Sequence, residues 1–165
     1  MNWNRKGMIG LTALALACGG WGSGAAAQQA AGYFGGGLNL NVSYGTFLFG
    51  THTMIGSGRL FGSGFGARVA LDFMFTPQIV LGTALEAYAV IPTGSLVTVN
   101  AGAGLSFYFV PALYLAPHAL LGLDFRLSRT ISAYVDLTPG LIFGLDNDQG
   151  LAFTMNVRFG TKLRF

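Results

Sequence analysis

The chain has 165 residues, of which 52% are hydrophobic and only 9% are charged, and its formal net charge is +3 at neutral pH. Disordered chains are poor in apolar residues and rich in charge, so this composition excludes disorder. Soluble domains usually carry about 25% charged residues. Too few charges are present for an ordinary soluble surface, which leaves a membrane protein or a very unusual core.

Residues 1–27 have the pattern of a cleaved secretory signal peptide. Arg5 and Lys6 form a basic start, an apolar run follows over residues 8–17, and small residues end the segment. The apolar run is too short for a spanning helix, which needs about 20 residues. We therefore expect residues 28–165 to form one exported domain. Without Arg5 and Lys6 its net charge is close to zero, which gives no reason to expect nucleic-acid binding.

Cys18 is the only cysteine of the chain and falls inside this segment. We expect it to be lost with the signal peptide. The alternative is a lipidation site as in bacterial lipoproteins, although Ala15 stands where such motifs favour Leu. In either case the domain that follows has no disulfide.

After the signal segment, apolar and polar residues alternate with a period of two, which is typical of β-strands. No apolar run there is long enough for a transmembrane helix. Turn signals rich in Pro, Gly, Asn and Asp separate the alternating runs. In chain order, the predicted strands span residues 33–44, 47–55, 61–75, 79–90, 96–109, 113–126, 131–144 and 151–165.

Two features of this assignment are open. The run over 47–55 is the weakest, and the alternative is that residues 46–60 form one long surface loop. Pro117 and Pro139 fall inside predicted strands, where each removes a backbone donor, so we expect them to mark β-bulges.

The charges test which face of each strand meets which environment. Nine charged residues lie within the runs, and all nine fall on the polar face, whereas the other charges, at positions 59, 129, 146 and 148, fall in predicted turns. The rest of the polar face is mostly Gly, Ala, Ser, Thr and Asn, which suits the packed lumen of a small barrel with paired ions. The nine residues predicted to form an ion network in this lumen are Arg68, Asp72, Glu86, Asp124, Arg126, Asp136, Arg158, Lys162 and Arg164.

The apolar face is then expected to meet lipid, and an open sheet edge would leave backbone groups unpaired in hydrocarbon. The sequence therefore predicts an all-β fold. It is a closed antiparallel transmembrane β-barrel of eight strands, with an interior filled by small and charged side chains.

The last strand and two internal stretches carry a resemblance. Phe153, Phe159, Leu163 and Phe165 alternate in one register, which resembles the terminal signal of Gram-negative outer-membrane barrels that the barrel-assembly machinery recognises. Residues 71–78 and 123–131 look like strand–turn–strand units of the small eight-stranded outer-membrane β-barrel superfamily, typified by the membrane domain of outer-membrane protein A.

The resemblance covers about residues 30–165. It implies location in the cell outer membrane, contact with outer-membrane lipids and lipopolysaccharide, and assembly-machinery contact during biogenesis. It names no surface partner.

Little in the sequence indicates chemistry. His52 and His118 are the only histidines and belong to no metal-binding pattern, so neither a metal nor another cofactor is expected. Some small outer-membrane barrels modify lipid A with a Ser, a His and a carboxylate, and the deacylases have His and Ser two positions apart. Neither histidine has that neighbour. We expect His118 to be an interior residue hydrogen-bonded to Asp124 or to a neighbouring strand.

The sequence therefore favours a structural or interaction role in the outer membrane without catalysis. The alternative is a porin-like narrow pore for small solutes, of the outer-membrane protein W type. A lipid A-modifying enzyme ranks below both. Adhesion is disfavoured because only residues 45–60 could form a long surface loop.

Overall fold

The computed structural model describes residues 32–60, 64–76, 78–145 and 150–165. The predicted signal segment, 1–27, and the charged positions 146 and 148 lie outside the described residues. No helix within the described ranges is long and apolar enough to cross a membrane. The strands are β1 Gly32–Ser43, β2 Thr46–Leu60, β3 Phe65–Thr76, β4 Val80–Pro92, β5 Val97–Val110, β6 Tyr114–Arg126, β7 Ile131–Gly144 and β8 Ala152–Arg164.

Each strand pairs antiparallel with its neighbours in the chain, and β1 pairs with β8, so the sheet closes into a barrel. The predicted closed eight-stranded antiparallel barrel is confirmed. The weakest predicted strand is present as β2, which is paired with both β1 and β3, so the surface-loop alternative for residues 46–60 is wrong. Arg59 also lies within β2 rather than in the predicted turn.

The register of the eight pairs fixes the tilt of the strands. One circuit of paired residues that starts at Tyr33 returns to β1 at Ser43, ten residues further along. Ten residues at about 3.3 Å and eight strands about 4.8 Å apart give a tilt of about 40°, within the range of closed barrels. The circuit runs through Tyr33, Gly56, Arg68, Glu86, Gly104, His118, Gly140, Thr154 and Ser43.

The expectation that the two strand prolines mark bulges is wrong. The β6–β7 register has the same offset on both sides of Pro117 and Pro139, with no inserted residue. The pairs at these prolines are instead absent from the β6–β7 ladder. Between Leu115↔Phe143 and Leu121↔Leu137 the ladder keeps one pair, His118↔Gly140. A proline lacks the backbone N–H that a ladder needs, and both missing donors fall at one seam. The register shifts lie in the β2–β3 and β4–β5 pairs.

The two faces of the sheet differ as the alternation predicts. Large apolar side chains such as Ile55, Leu71 and Leu85 are exposed on the outside. Asn39 and Arg158, by contrast, are completely buried inside. The interior also holds larger apolar and aromatic residues than the sequence suggested, in two clusters separated along the barrel. These clusters consist of Leu48, Met74, Val80, Tyr108, Ala116 and Ile142, and of Tyr33, Met54, Ala70, Ala84 and Tyr134.

Candidate functional site

The lumen has two ends. We call the end at Gly32 and Phe165 the terminal mouth, and the end at the β1–β2 turn, Tyr44 and Gly45, the turn mouth. Seven of the nine charged residues predicted to face the lumen are buried there, and Arg126 and Arg164 lie half-buried at the terminal mouth. Ions therefore occupy the middle of the barrel and its terminal mouth.

Arg158 on β8 lies at the centre of the buried ions. Its Nε and Nη2 donate to the two carboxylate oxygens of Asp72, at 3.1 and 2.6 Å, and its Nη1 donates to Glu86 at 2.6 Å. The fork of the guanidinium fits a carboxylate in this two-pronged geometry. Asn39 on β1 also donates to Asp72, at 2.7 Å. The first and last strands are thus both bound to β3 through the lumen.

Arg68 on β3 forms the second centre. It donates from Nε to Glu86 on β4 and from Nη1 to Asp136 on β7 at 2.6 Å. All three side chains are almost fully shielded from solvent. Because a buried charge without a partner is very costly, these ions depend on one another.

Most of these ion pairs cross the lumen instead of joining neighbouring strands. Asp136 and Arg158 face each other directly in the β7–β8 register, yet each binds a partner on a distant strand. Arg68 and Glu86 are the pair that does follow the register. The alternation of apolar and polar residues predicted that these side chains face the lumen. Which partner each one binds depends on strand tilt and register, and the alternation gives no information about either.

His118 on β6 contacts Glu86, two strands away, and Ser106 on the neighbouring strand β5; the predicted contact with a neighbouring strand is confirmed and the alternative, Asp124, is wrong. Its Nε2 lies 3.2 Å from Glu86 Oε1. Gly104 on β5 makes this reach possible, since a Cβ there would crowd both side chains. The Nδ1 atom lies 3.1 Å from the Ala116 carbonyl oxygen and 3.3 Å from Ser106 Oγ.

The chain Ser106–His118–Glu86 has the residue types of a hydrolase relay, but its geometry does not suit one. A general base must present an unprotonated nitrogen to the serine. The carbonyl oxygen of Ala116 can only accept, and it lies closer to Nδ1 than the Ser106 hydroxyl does, so the two oxygens compete for that nitrogen. Ser106 is also buried and lines neither mouth of the lumen.

Lys162 and Asp124 form the ion pair nearest the terminal mouth, with Nζ 2.6 Å from Oδ1. Above Lys162 lie the rings of Tyr33 and Tyr134, whose centroids are 5.0 and 4.6 Å from Nζ. Aromatic faces attract a cation at such distances. Arg164 Nη2 approaches the same carboxylate at 3.9 Å.

The turn mouth is lined by apolar, aromatic and uncharged polar residues, without a charged side chain among the described residues. It holds a cavity of about 160 Å³, whose walls include Leu48, Met74 and Tyr108. The Tyr44 hydroxyl donates to the Gly150 carbonyl oxygen at 2.7 Å and partly covers this end. Desolvation raises the pKa of the Tyr44 phenol, which keeps it a protonated donor. Nothing in the alternation of the sequence had indicated this cavity.

The four residues predicted to form the assembly signal lie on the outer face of the barrel. Phe153, Phe159, Leu163 and Phe165 are all exposed there, along β8 and just beyond it. They share one face because they are separated by even numbers of residues in a strand.

The described residues contain no group of three or more His, Cys, Asp or Glu side chains placed to hold a metal ion. No protein-family model matches the chain. A search of curated protein sequences likewise finds no match.

Proposed function

We propose that this chain is an integral outer-membrane β-barrel protein of a Gram-negative bacterium with a structural or interaction role. The observation that carries the proposal is the reversed distribution of polarity in a closed barrel. Large apolar side chains cover the outside, whereas seven charged side chains are buried within. Water favours the opposite arrangement, and a lipid bilayer favours this one.

The dimensions support the same proposal. The shortest strands have 12 residues. At about 3.3 Å per residue and a tilt of about 40°, 12 residues rise about 30 Å. The hydrocarbon core of a bilayer is about 30 Å thick. Outer-membrane lipids and lipopolysaccharide would then surround the barrel, and the barrel-assembly machinery would recognise β8.

Expression of the full chain in a Gram-negative host, followed by membrane fractionation, tests the location. We expect the protein in the outer-membrane fraction, with a gel mobility in unheated detergent samples that differs from that of heated ones. A soluble periplasmic protein with a single mobility would overturn the proposal.

The narrow pore remains the competing function, because a cavity opens at each mouth. The two cavities share no lining residue, and the ions of Arg158 and Arg68 fill the lumen between them. We therefore expect planar-bilayer recordings to show no stable conductance on the nanosiemens scale. A stable open level of that size would favour the pore. Catalysis is not proposed, because Ser106, the serine beside His118, is buried and lines neither mouth of the lumen.

A further inference from the structure

The second cavity of the barrel lies at the terminal mouth and has a volume of about 80 Å³. Its lining is strongly basic. Four cationic side chains and one carboxylate contribute to it, an excess of three positive charges. The charged lining residues are Arg59, Asp124, Arg126, Lys162 and Arg164.

The one carboxylate is already engaged. Asp124 Oδ1 accepts from Lys162, and Oδ2 accepts from Asn100 at 3.2 Å and lies 3.9 Å from Arg164. Arg126 forms no ion pair with any residue in the described part of the chain, and Arg164 has only this distant one. Both side chains are half-buried, so water solvates their charges incompletely.

Among the residues that the structure describes, no other acidic side chain lines this mouth. The chain has six Asp and Glu residues in all. Asp72, Glu86 and Asp136 are held deeper in the lumen by the two buried arginines. The remaining two, at positions 146 and 148, lie outside the described residues. Even a backbone carboxylate at Phe165 would leave an excess of two positive charges.

The described residues thus offer Arg126 no carboxylate and Arg164 only a distant one, which leaves positive charge for an anion from outside the chain, and the cavity restricts what that anion can be. A single water needs about 10–15 Å³ on this measure, so 80 Å³ accommodates a compact group of several atoms. Converging arginines bind tetrahedral oxyanions well because each guanidinium offers parallel N–H donors. We propose that the terminal mouth is a binding site for a phosphate group, held by Arg126 and Arg164 with Lys162 and Arg59 beside them.

Two sources could supply such a phosphate: a free phosphate ion or the headgroup of an anionic lipid. Exposed apolar side chains surround the mouth, among them Leu96, Leu127 and Leu163. Acyl chains could lie against these side chains while the headgroup enters the cavity. The site itself depends only on the barrel and not on its location in a membrane.

The test uses the full-chain barrel refolded in a maltoside detergent, since phosphocholine detergents would themselves supply phosphate. Inorganic phosphate is titrated while the side-chain N–H signals of the arginines are followed by NMR, with chloride at equal ionic strength as reference. We expect saturable shifts at Arg126 and Arg164, and no saturable shift at Arg129, which is exposed in the β6–β7 turn at the same end.

The double variant Arg126→Gln/Arg164→Gln should bind phosphate at least about tenfold more weakly, because each lost charge-assisted hydrogen bond is worth 1.4 kcal/mol or more. Arg129→Gln is the matched control and should bind as the original chain does. Heat-modifiable gel mobility shows that each variant is folded. No saturable shift in the original chain, or an equal loss in Arg129→Gln, would overturn the proposal.

A second titration with dihexanoyl phosphatidylglycerol distinguishes the sources. Tighter binding of this lipid than of inorganic phosphate at the same arginines assigns the site to a lipid headgroup. Equal binding assigns it to the phosphate group alone. Binding of the lipid that leaves Arg126 and Arg164 unperturbed would contradict the site.

Discussion

Glu86 is the carboxylate of the described lumen that binds both buried arginines. Arg68, Arg158 and His118 all approach it from different strands. Its two oxygens therefore bind both buried arginines at once, and Asp72 and Asp136 supply the further negative charge. A change at this one position alters the electrostatics of the whole lumen, since neither guanidinium can reach water instead.

We expect Glu86→Gln to lower the free energy of unfolding by about 3–5 kcal/mol, because it leaves buried guanidinium charge without full compensation. Urea titration of the refolded barrel followed by circular dichroism measures the change. Arg129→Gln, at an exposed turn position, should stay within about 0.5 kcal/mol of the original chain. Equal stability of Glu86→Gln and the original chain would show that the ions are better solvated than their burial indicates.

At the scale of the element, the β1–β8 seam shows why some glycines of this chain cannot be replaced. Gly37 and Gly160 are directly paired there. A Cβ on Gly37 would collide with the backbone carbonyl of Phe159 and with the Cα of Gly160. Backbone atoms of a paired strand cannot move aside as a flexible side chain can, so the closing seam requires glycine at this position.

Gly37→Ala should therefore destabilise the barrel by about 1–3 kcal/mol, the usual cost of overpacking. Gly58→Ala on β2 is the matched control, because a Cβ there meets no atom within 4 Å. The same urea titration compares the two variants. If Gly37→Ala and Gly58→Ala had equal effects, strand propensity would explain them, and not the close approach at the seam.

The strands also show how far the sequence determines the fold. A strand alternates its faces whatever its partners are, so the inward position of Asp72, Glu86 and Asp136 could be predicted residue by residue. The bulges could not be predicted, because a register shift is a property of two paired strands and not of the sequence of one strand. Pro117 and Pro139 illustrate this limit: their missing donors were predictable, but their alignment at one seam depends on the β6–β7 register.

For the candidate site, the residues could be predicted from the sequence, but their contacts could not. The charge pattern identified the residues of the lumen, including Arg126 and Arg164. It could not indicate that Arg68 binds Asp136 across the barrel, since that contact depends on how far the strands tilt. The cavities at the two mouths likewise arise from the closed shape.

At the scale of the whole molecule, the residues of the proposed assembly signal face outward. Assembly in cells and stability of the folded barrel can therefore be measured separately. Phe165 is 69% exposed, and its backbone pairs with Gly32 through two hydrogen bonds that any side chain would permit. Phe165→Ala should therefore reduce the folded fraction in cells while the refolded barrel keeps its stability in urea. Leu151→Ala, at 65% exposure outside the strands, is the control and should assemble normally. Equal losses in cells and in urea would indicate packing at Phe165 instead of a signal.

The strand that closes the barrel also delivers much of its positive charge. Arg158, Lys162 and Arg164 all lie on β8, whereas the four buried carboxylates lie on β3, β4, β6 and β7. On the described strands β1–β7, the Lys and Arg side chains are Arg59, Arg68 and Arg126. Closure of the sheet and neutralisation of its interior are therefore one event. A chain that stopped at β7 would carry four lumen carboxylates against three arginines on its strands, one of them the exposed Arg59.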